Sequence, residues 1–542
     1  MRKSKFLSVA VSSAMVASMM LTGCGNTGNG GGNNVNENGE FELTSLKVLV
    51  DGTVNSVKQE TEDQRTVRDA FIPQLEEAIG EAIGHEIDIE FEVGDHTGYN
   101  DYVGRKFVGQ QYPDVMIMSA NMMKQYASSG LLWDMADAYA NAEFQSRLTL
   151  PGVNEGMKDS QGHLYGFAPT YGNGCVTYIK QSWLDNVGIN GDDIKTYDDF
   201  YNMLLAFKNG DPDGNGVNGD TYGFISAGLI GTEAPWINYT AEFWQDAYPS
   251  IIQGEDGVWY DGFQTDATKA ALERLKQAYY VDKVIDPDSF TAGTKQAREK
   301  WWGAEQSGSA GVFTYWAGTW YKNVITNLEK NNNPSEVYEL APIAEIQNSY
   351  GGYLNREAPV WVIIDDGDGD DTREQAIFDA FLATMLDGDR VQSLWTYGAE
   401  GIEWSTQAEE FSTNVGKDNQ KDYSYAEGEF HQRPSLADEN VISTKNHLDP
   451  LLVISPLANG FVSINDYEAI SNKFFTDNCV DAPVSPSSDT YSERSADIVD
   501  ARAVAISSVV VSGGDVDAAM ETYKASVGSL IDQILAELNA AE

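Results

Sequence analysis

From about residue 41 the apolar positions alternate between two rhythms. LKVLV (Leu46–Val50) is a nearly unbroken apolar run, EIDIEFEV (Glu86–Val93) alternates apolar with polar, and YPDVMIMSA (Tyr112–Ala120) sets Val115 and Ile117 among methionines. Runs of this length and pattern predict strands. Between the first two lies QRTVRDAFIPQLEEAIGEAI, whose apolar residues return at helical spacing. Strand, helix, strand, helix, strand predicts an α/β layer with a mostly parallel sheet. Ligands of such sheets sit beyond the carboxyl ends of the strands, so the segments after Val50, Val93 and Met118 are expected on the ligand side.

A second α/β set begins near Cys175. CVTYIKQSWL reads as a strand leading into a helix, and TYDDFYNMLLAF as an amphipathic helix with an acidic first turn. TDATKAALERLKQAYYVD, REQAIFDAFLATML and DVDAAMETYKASVGSLIDQILAELNA carry apolar faces at helical period. SAGVFTYWAGTWYKNV is a short apolar segment rich in aromatics, and APVWVIID reads as another strand. The stretch 406–450 carries no clear element, and no repeat of solenoid length is present.

The first residues address the chain. MRKSK is a positive n-region, FLSVAVSSAMVASMM an apolar core too short for a membrane span, and LTGC (Leu21–Cys24) resembles the bacterial lipobox. Residues 1–23 are expected to be a lipoprotein signal peptide, with Cys24 lipidated as the first mature residue. GNTGNGGGNNVNENGE follows, so residues 24–40 read as a flexible tether. The expected location is the extracellular face of the cell membrane, held by lipid. A formal net charge of -48 opposes binding to nucleic acid or to an anionic membrane. At 42% hydrophobic residues the chain can bury cores for two or three domains. Cys175 and Cys479 remain once Cys24 is modified. They read as two separate thiols in preference to one long-range disulfide.

KNGDPDGNGVNGDTYGF (Lys208–Phe224) places Asp211, Asp213 and Asn215 at alternate positions with Gly216 sixth. That is the opening of an EF-hand-like calcium loop, in which the Val217 carbonyl would come next. The twelfth place holds Tyr222 where glutamate is needed, which makes Asp220 the substitute ligand. A structural Ca2+ is weighed against a glycine-rich turn closed by Asx hydrogen bonds. A second acidic run, DDGDGDD (Asp365–Asp371), reads as a solvated turn before a helix.

The lipobox and tether, YPDVMIM, DSQGHLYGFAPTYGNGCVTYIKQSWLDNVGI, KTYDDFYNMLLAFKNGDPDGNGVNGDTYGF, WTYGAEGIEWS and VVVSGGDVDAAMETYKASV lie in one order along nearly the whole mature chain. Together they resemble the extracellular solute-binding proteins of carbohydrate ABC importers, family 1, and within it the large lipoprotein subgroup. The resemblance implies a two-lobed periplasmic-binding-protein-like α/β fold with a hinge between discontinuous lobes. The expected division is 41–168 and 350–410 for the first lobe, 172–345 and 450–542 for the second. It also implies an oligosaccharide ligand, a membrane permease with its ATPase as partners, no catalysis, and a similar acidic loop able to hold structural calcium.

Sugar recognition needs aromatic faces for the C–H side of the ring and directed donors and acceptors for the hydroxyls. The chain has 12 tryptophans and 27 tyrosines to choose from. Trp316 and Trp320, in YWAGTW, are the leading candidates, since the family resembled here places a sugar-facing loop in this region. Tyr171, Trp236 and Trp404 follow, with Asp95, Arg356 and Glu403 as polar partners; Trp361, inside a predicted strand, reads as core. No HExxH, GxSxG or GxxxxGK[ST] is present, and no two of the five histidines lie three to five residues apart. A surface-anchored glycoside hydrolase, needing only two carboxylates, and a non-transporting adhesin stand as the rival functions; a peptide is the rival ligand.

Overall fold

The computed structural model describes residues 41–540. Outside the description lie 52–61, 95–98, 128–129, 149–151, 170–173, 230–235, 304–309, 356–358, 415–419, 433–473 and the positions 160, 228, 255, 318, 332, 403, 430, 476, 481, 484, 485 and 487. Two four-stranded sheets organise the residues from Leu43 onward. The strands that build them and the hinge are β1 (Ser45–Asp51), β2 (Asp88–Gly94), β3 (Val115–Ser119), β4 (Cys175–Lys180), β5 (Tyr222–Ile225), β6 (Ala310–Trp316), β7 (Val337–Leu340), β8 (Tyr353–Leu354), β9 (Pro359–Ile363) and β10 (Cys479–Val480).

The first sheet has the order β9-β3-β1-β2. β1 runs parallel to β2 and β3, and β9 closes the edge antiparallel to β3. β3 and β9 are apolar because both their faces are covered: β9, PVWVI, is buried from its second residue on, whereas β2, at the other edge, keeps exposed Asp88 and Glu90. Helix α1 (Glu62–Ile83) packs here through Phe71, whose ring lies edge-on to Trp395 at 5.7 Å. Trp361, Phe381 and Trp395 complete the aromatic centre, with Trp361 and Trp395 at 6.0 Å. Trp361 is fully buried, as its place in a predicted strand implied.

The second sheet has the order β5-β6-β4-β7, with β4 antiparallel to both neighbours and β5 parallel to β6. Helix α2 (Tyr197–Asn209) packs Phe200, Met203, Leu204 and Phe207 inward at helical spacing. It starts at a capping box in which the Thr196 hydroxyl and the Asp199 carboxylate each serve the other's backbone. The late helices α5 (Asp489–Val510) and α6 (Val516–Ala540) belong to the same core, through Val509, Val510, Ile531 and Ile534. Each lobe is thus assembled from separated pieces of chain: α/β, two lobes, both discontinuous. Cys175 is buried and Cys479 partly so.

Candidate functional site

Three segments come together where the chain passes between the sheets. Phe167 exchanges both backbone hydrogen bonds with Trp361 at 2.8 Å, inside the first lobe. Seven residues later Gly174 bridges to Asn355 and its carbonyl accepts from the Ala317 N–H at 2.9 Å. β8 then pairs in parallel with β10, Tyr353 opposite Cys479. The Asn355 N–H extends that ladder to the Val480 carbonyl at 2.9 Å, and the Asn355 side chain accepts from the Ala482 N–H at 3.1 Å.

The hinge strand β8 is anchored into the second lobe by a buried polar cluster. The Tyr353 hydroxyl lies 3.1 Å from Glu242 Oε1 and 3.0 Å from the Leu340 carbonyl oxygen. The same Glu242 oxygen accepts from the Thr177 hydroxyl at 2.6 Å, and Thr177 is 2.8 Å from the Thr314 hydroxyl. Burial pushes the Glu242 carboxyl up, against these hydrogen bonds, and its Oε2 has no partner. A neutral acid at the root of the hinge strand fits this arrangement.

Trp316 stands beside this hinge. It is the last residue of β6, paired with Cys175, and its carbonyl accepts from the Tyr178 hydroxyl at 2.8 Å. Unlike the buried residues before it in the strand, its side chain is partly exposed. Tyr239 packs edge-on against it at 6.2 Å. Tyr239 lies in the short helical turn Trp236–Thr240, which Asn238 ties to the hinge by donating to the Leu354 carbonyl at 2.7 Å. The elements carrying Trp236 and Trp316 are therefore brought together at one end of the second sheet. Trp320 lies in the first turn of helix α3 (Thr319–Lys330), immediately after.

Other candidates fall elsewhere. Trp404 is 5% exposed, and its indole N–H donates to the Gly398 carbonyl at 2.7 Å within the first lobe. Tyr171, Asp95, Arg356 and Glu403 lie outside the described residues. Asp95 follows Gly94, the end of β2, and Arg356 follows Asn355 of the hinge, so both sequence neighbourhoods adjoin the strand ends. A cavity of about 590 Å³ opens elsewhere, at the amino edge of the first sheet, walled by Glu76, Glu81, His85 and Ile87. It is opposite the strand ends where ligands of such sheets bind.

The Asp211–Asp220 loop follows α2 and feeds β5. Gly216 has φ +86°, a conformation that side chains strain to adopt, and its N–H donates to Asp211 Oδ2 at 2.9 Å. Asn215 Nδ2 lies between two carboxylates, 3.0 Å from Asp213 Oδ2 and 2.9 Å from Asp220 Oδ2. Burial, then the nearby Asp211 and Asp220, push the Asp213 carboxyl up. Asp220 Oδ1 is buried without a hydrogen-bond partner. Two carboxylates around one amide N–H₂, a third (Asp211) held by the backbone of the same turn, and an unsatisfied Asp220 oxygen are a donor set that a hard cation fits. The Val217 N–H donates to Asn215 Oδ1 at 2.7 Å, an Asx turn of the kind the rival reading expects.

Sequence reasoning missed the Glu242 cluster and the inward carboxylate of Glu374, which is 2% exposed. The second had a signal: Glu374 shares helical spacing with Ile377, Phe378 and Phe381, all fully buried. One oxygen each of Asp365, Asp366 and Glu374 lie within 4.8 Å of one another, so a metal can be accommodated in the run read as a solvated turn.

No family model matches the chain. Lipoprotein LipO of Bacillus subtilis is 30% identical over 192 residues, 34% of this chain and 36% of LipO. The fructooligosaccharide ABC transporter substrate-binding protein FusA of Streptococcus pneumoniae is 28% identical over 198 residues, 34% of this chain and 33% of FusA. The chain therefore matches about a third of the length of these curated relatives. Likeness in three dimensions extends further. A solute-binding protein of Bifidobacterium longum infantis, described as HMO-binding and ABC-transporter associated, superposes with a TM-score of 0.61 at 13% identity, covering 92% of this chain and 98% of that one. An EF-hand mutant of FusA, in complex with fructo-nystose, gives 0.56 at 16% identity, covering 92% and 99%. At such identities the shared property is the fold: two discontinuous α/β lobes of the periplasmic-binding-protein kind.

Proposed function

We propose that the protein is the extracellular substrate-binding component of an ABC importer, which captures an oligosaccharide between its lobes and passes it, unaltered, to a membrane permease powered by a separate ATPase. The observation that carries this reading is Trp316: a partly exposed indole at the end of β6, one ladder pair from the crossing at Cys175. An aromatic face at a hinge can stack on a sugar ring, and closure of the lobes can cover the ring's other side. Binding and release need no catalytic pair. LipO and FusA, whose names speak of a lipoprotein and of a fructooligosaccharide importer, support the same class. Lipid on Cys24 would hold the body at the outer face of the membrane. Trp320, Trp236, Tyr171, Asp95, Arg356 and Glu403 are carried as the remaining ligand candidates, without Trp404, which is buried in the first lobe, and the lobe boundaries given above as the working division.

The Asp211–Asp220 loop is proposed to hold a structural Ca2+ through Asp211, Asp213, Asn215, the Val217 carbonyl and Asp220. Half a turn of the Asn215 amide would present its oxygen to the two carboxylates its nitrogen now faces, at the cost of the Val217 N–H bond. The name of the FusA mutant, which places an EF-hand in that protein, supports a metal loop in a relative of the same fold. Removing Ca2+ with a chelator should lower the melting temperature and leave sugar selectivity unchanged. An ion present at a hundred times its Kd contributes about 2.7 kcal/mol to the folded state. Melting curves that superimpose with and without chelator would dismiss the loop as a metal site.

The deciding experiment is a glycan-array screen, followed by calorimetry and product analysis of each hit. Expected is saturable one-to-one binding with the glycan recovered intact. Trp316→Ala should cost about 2 kcal/mol or more, roughly thirtyfold in affinity. Turnover of a bound glycan would instead identify a hydrolase, and retention only on insoluble polymer an adhesin.

A further inference from the structure

A second acidic loop, between β9 and helix α4 (Thr372–Ile377), lies in the first lobe, away from both the hinge and the Asp211–Asp220 loop. Its backbone is fixed at the β9 side. The Ile364 N–H donates to the Asp114 carbonyl at 3.0 Å and the Asp365 N–H to the Leu131 carbonyl at 3.1 Å. Asp365 Oδ1 accepts from the Gly367 N–H at 2.8 Å, and Asp366 Oδ1 from the Asp368 N–H at 3.0 Å. One oxygen of each carboxylate is thereby turned to backbone. The guanidinium of Arg373, next along the chain, is engaged by the Asp114 carboxylate.

Glu374 is the unusual member. It is 2% exposed. Its Oε1 accepts from the Asp366 N–H at 3.2 Å, while Oε2 is buried with no hydrogen-bond partner. A buried carboxylate oxygen without a partner costs free energy, and two further carboxylates nearby add repulsion. One oxygen each of Asp365, Asp366 and Glu374 lie within 4.8 Å of one another. Ligands at about 2.4 Å on opposite sides of one Ca2+ are about 4.8 Å apart, so the cluster has the span of a single coordination sphere.

We propose that Asp365, Asp366 and Glu374 form a cation site that takes a hard divalent ion, calcium by preference, with water completing the shell. An all-carboxylate set is the ligand type that suits hard cations such as calcium. The ion would give Glu374 Oε2 its missing partner, cancel the repulsion, and pin the loop to the inner side of α4. It would be structural, independent of the transport reading and of the Asp211–Asp220 loop.

To separate the two loops, the test uses the full mature chain carrying Asp211→Ala and Asp213→Ala, stripped by chelator and titrated with CaCl2 by calorimetry and by thermal melting. The background should still take up about one Ca2+ and melt higher with it. Adding Asp366→Asn, an exposed position that does not threaten folding, should weaken uptake by about tenfold or more. Glu374→Gln should do the same; if that variant fails to fold, Asp366→Asn decides alone. A background that binds no Ca2+ at millimolar concentration, or an Asp366→Asn variant that binds as the background does, overturns the site. In that case Glu374 serves the loop only through its hydrogen bond from the Asp366 N–H.

Discussion

Asp261 shows how one side chain can set a pH dependence for the whole fold. It caps the helical turn Gly262–Gln264 by accepting from the Phe263 N–H at 3.0 Å, and burial pushes its carboxyl up to about 6. The unfolded chain releases that proton near pH 4, at about 3.9. Between these values the native state holds a proton that the unfolded state has lost, so stability falls as pH rises from about 4 to 6 and is level above. Two pKa units correspond to about 3 kcal/mol, which partial solvent access reduces to about 1–2. Asp261→Asn keeps the capping oxygen and removes the titration. Its urea stability should match wild type near pH 4 and exceed it by about 1–2 kcal/mol at pH 7; a difference that does not change with pH would refute this assignment. Tryptophans teach a related lesson about reading single residues. Trp316 and Trp404 are the same residue type in similarly aromatic stretches, but Trp316 ends a strand at the hinge and Trp404 is buried with its N–H satisfied inside a lobe. Local sequence does not record which end of a sheet faces the other lobe, and that is what separates them.

Elements were legible where the pattern was strong. β1, β2, β3 and β9 appear where apolar runs and alternation placed strands, and α2 starts at the acidic turn of TYDDF. SAGVFTYWAGTWYKNV divides into strand β6, ending at Trp316, and helix α3, starting at Thr319, a division its aromatics conceal. The hairpin of Glu409–Asn414 with Gln420–Tyr425 was not legible, because EEFSTN and QKDYSY are polar and hold only a small aromatic cluster around Tyr425. Nor does periodicity reveal how segments far apart in sequence meet at the hinge. There Gly174 is the tightest point: a Cβ added to it would lie 2.1 Å from Cε2 of Phe475, a ring only 3% exposed. Its carbonyl and bridge to Asn355 hold the backbone in place, so either the buried Phe475 ring or the crossing itself must shift. Gly174→Ala should destabilise the fold by about 1–3 kcal/mol, as overpacking does, and weaken ligand binding as well. Unchanged melting and affinity would mean that this crossing yields freely.

At the scale of the molecule, the links described between the two sheets are short, around Gly174, β8 and β10, and relative motion of the lobes is the soft coordinate expected of them. Among the described residues the hinge ladder is short, two residue pairs of β8 with β10 extended by Asn355, whereas each lobe contains a four-stranded sheet. A ligand that touches both lobes adds contacts only in the closed arrangement, and can shift the equilibrium by no more than that difference in affinity. A net charge of -48 opposes compaction through self-repulsion, an effect that salt screens beyond about 8 Å at physiological ionic strength. Small-angle scattering at 150 mM salt, with and without a glycan identified by the screen, should therefore show a smaller radius of gyration in the bound state. Trp316→Ala, measured at the same glycan concentration, should remain at the unbound value. At a glycan concentration high enough to saturate the variant, two outcomes separate. If it then contracts like wild type, Trp316 contributes affinity alone; if it binds and stays open, the indole at the hinge also couples ligand to closure. A wild-type protein that binds its glycan with no change in scattering would reject closure as the mode of capture.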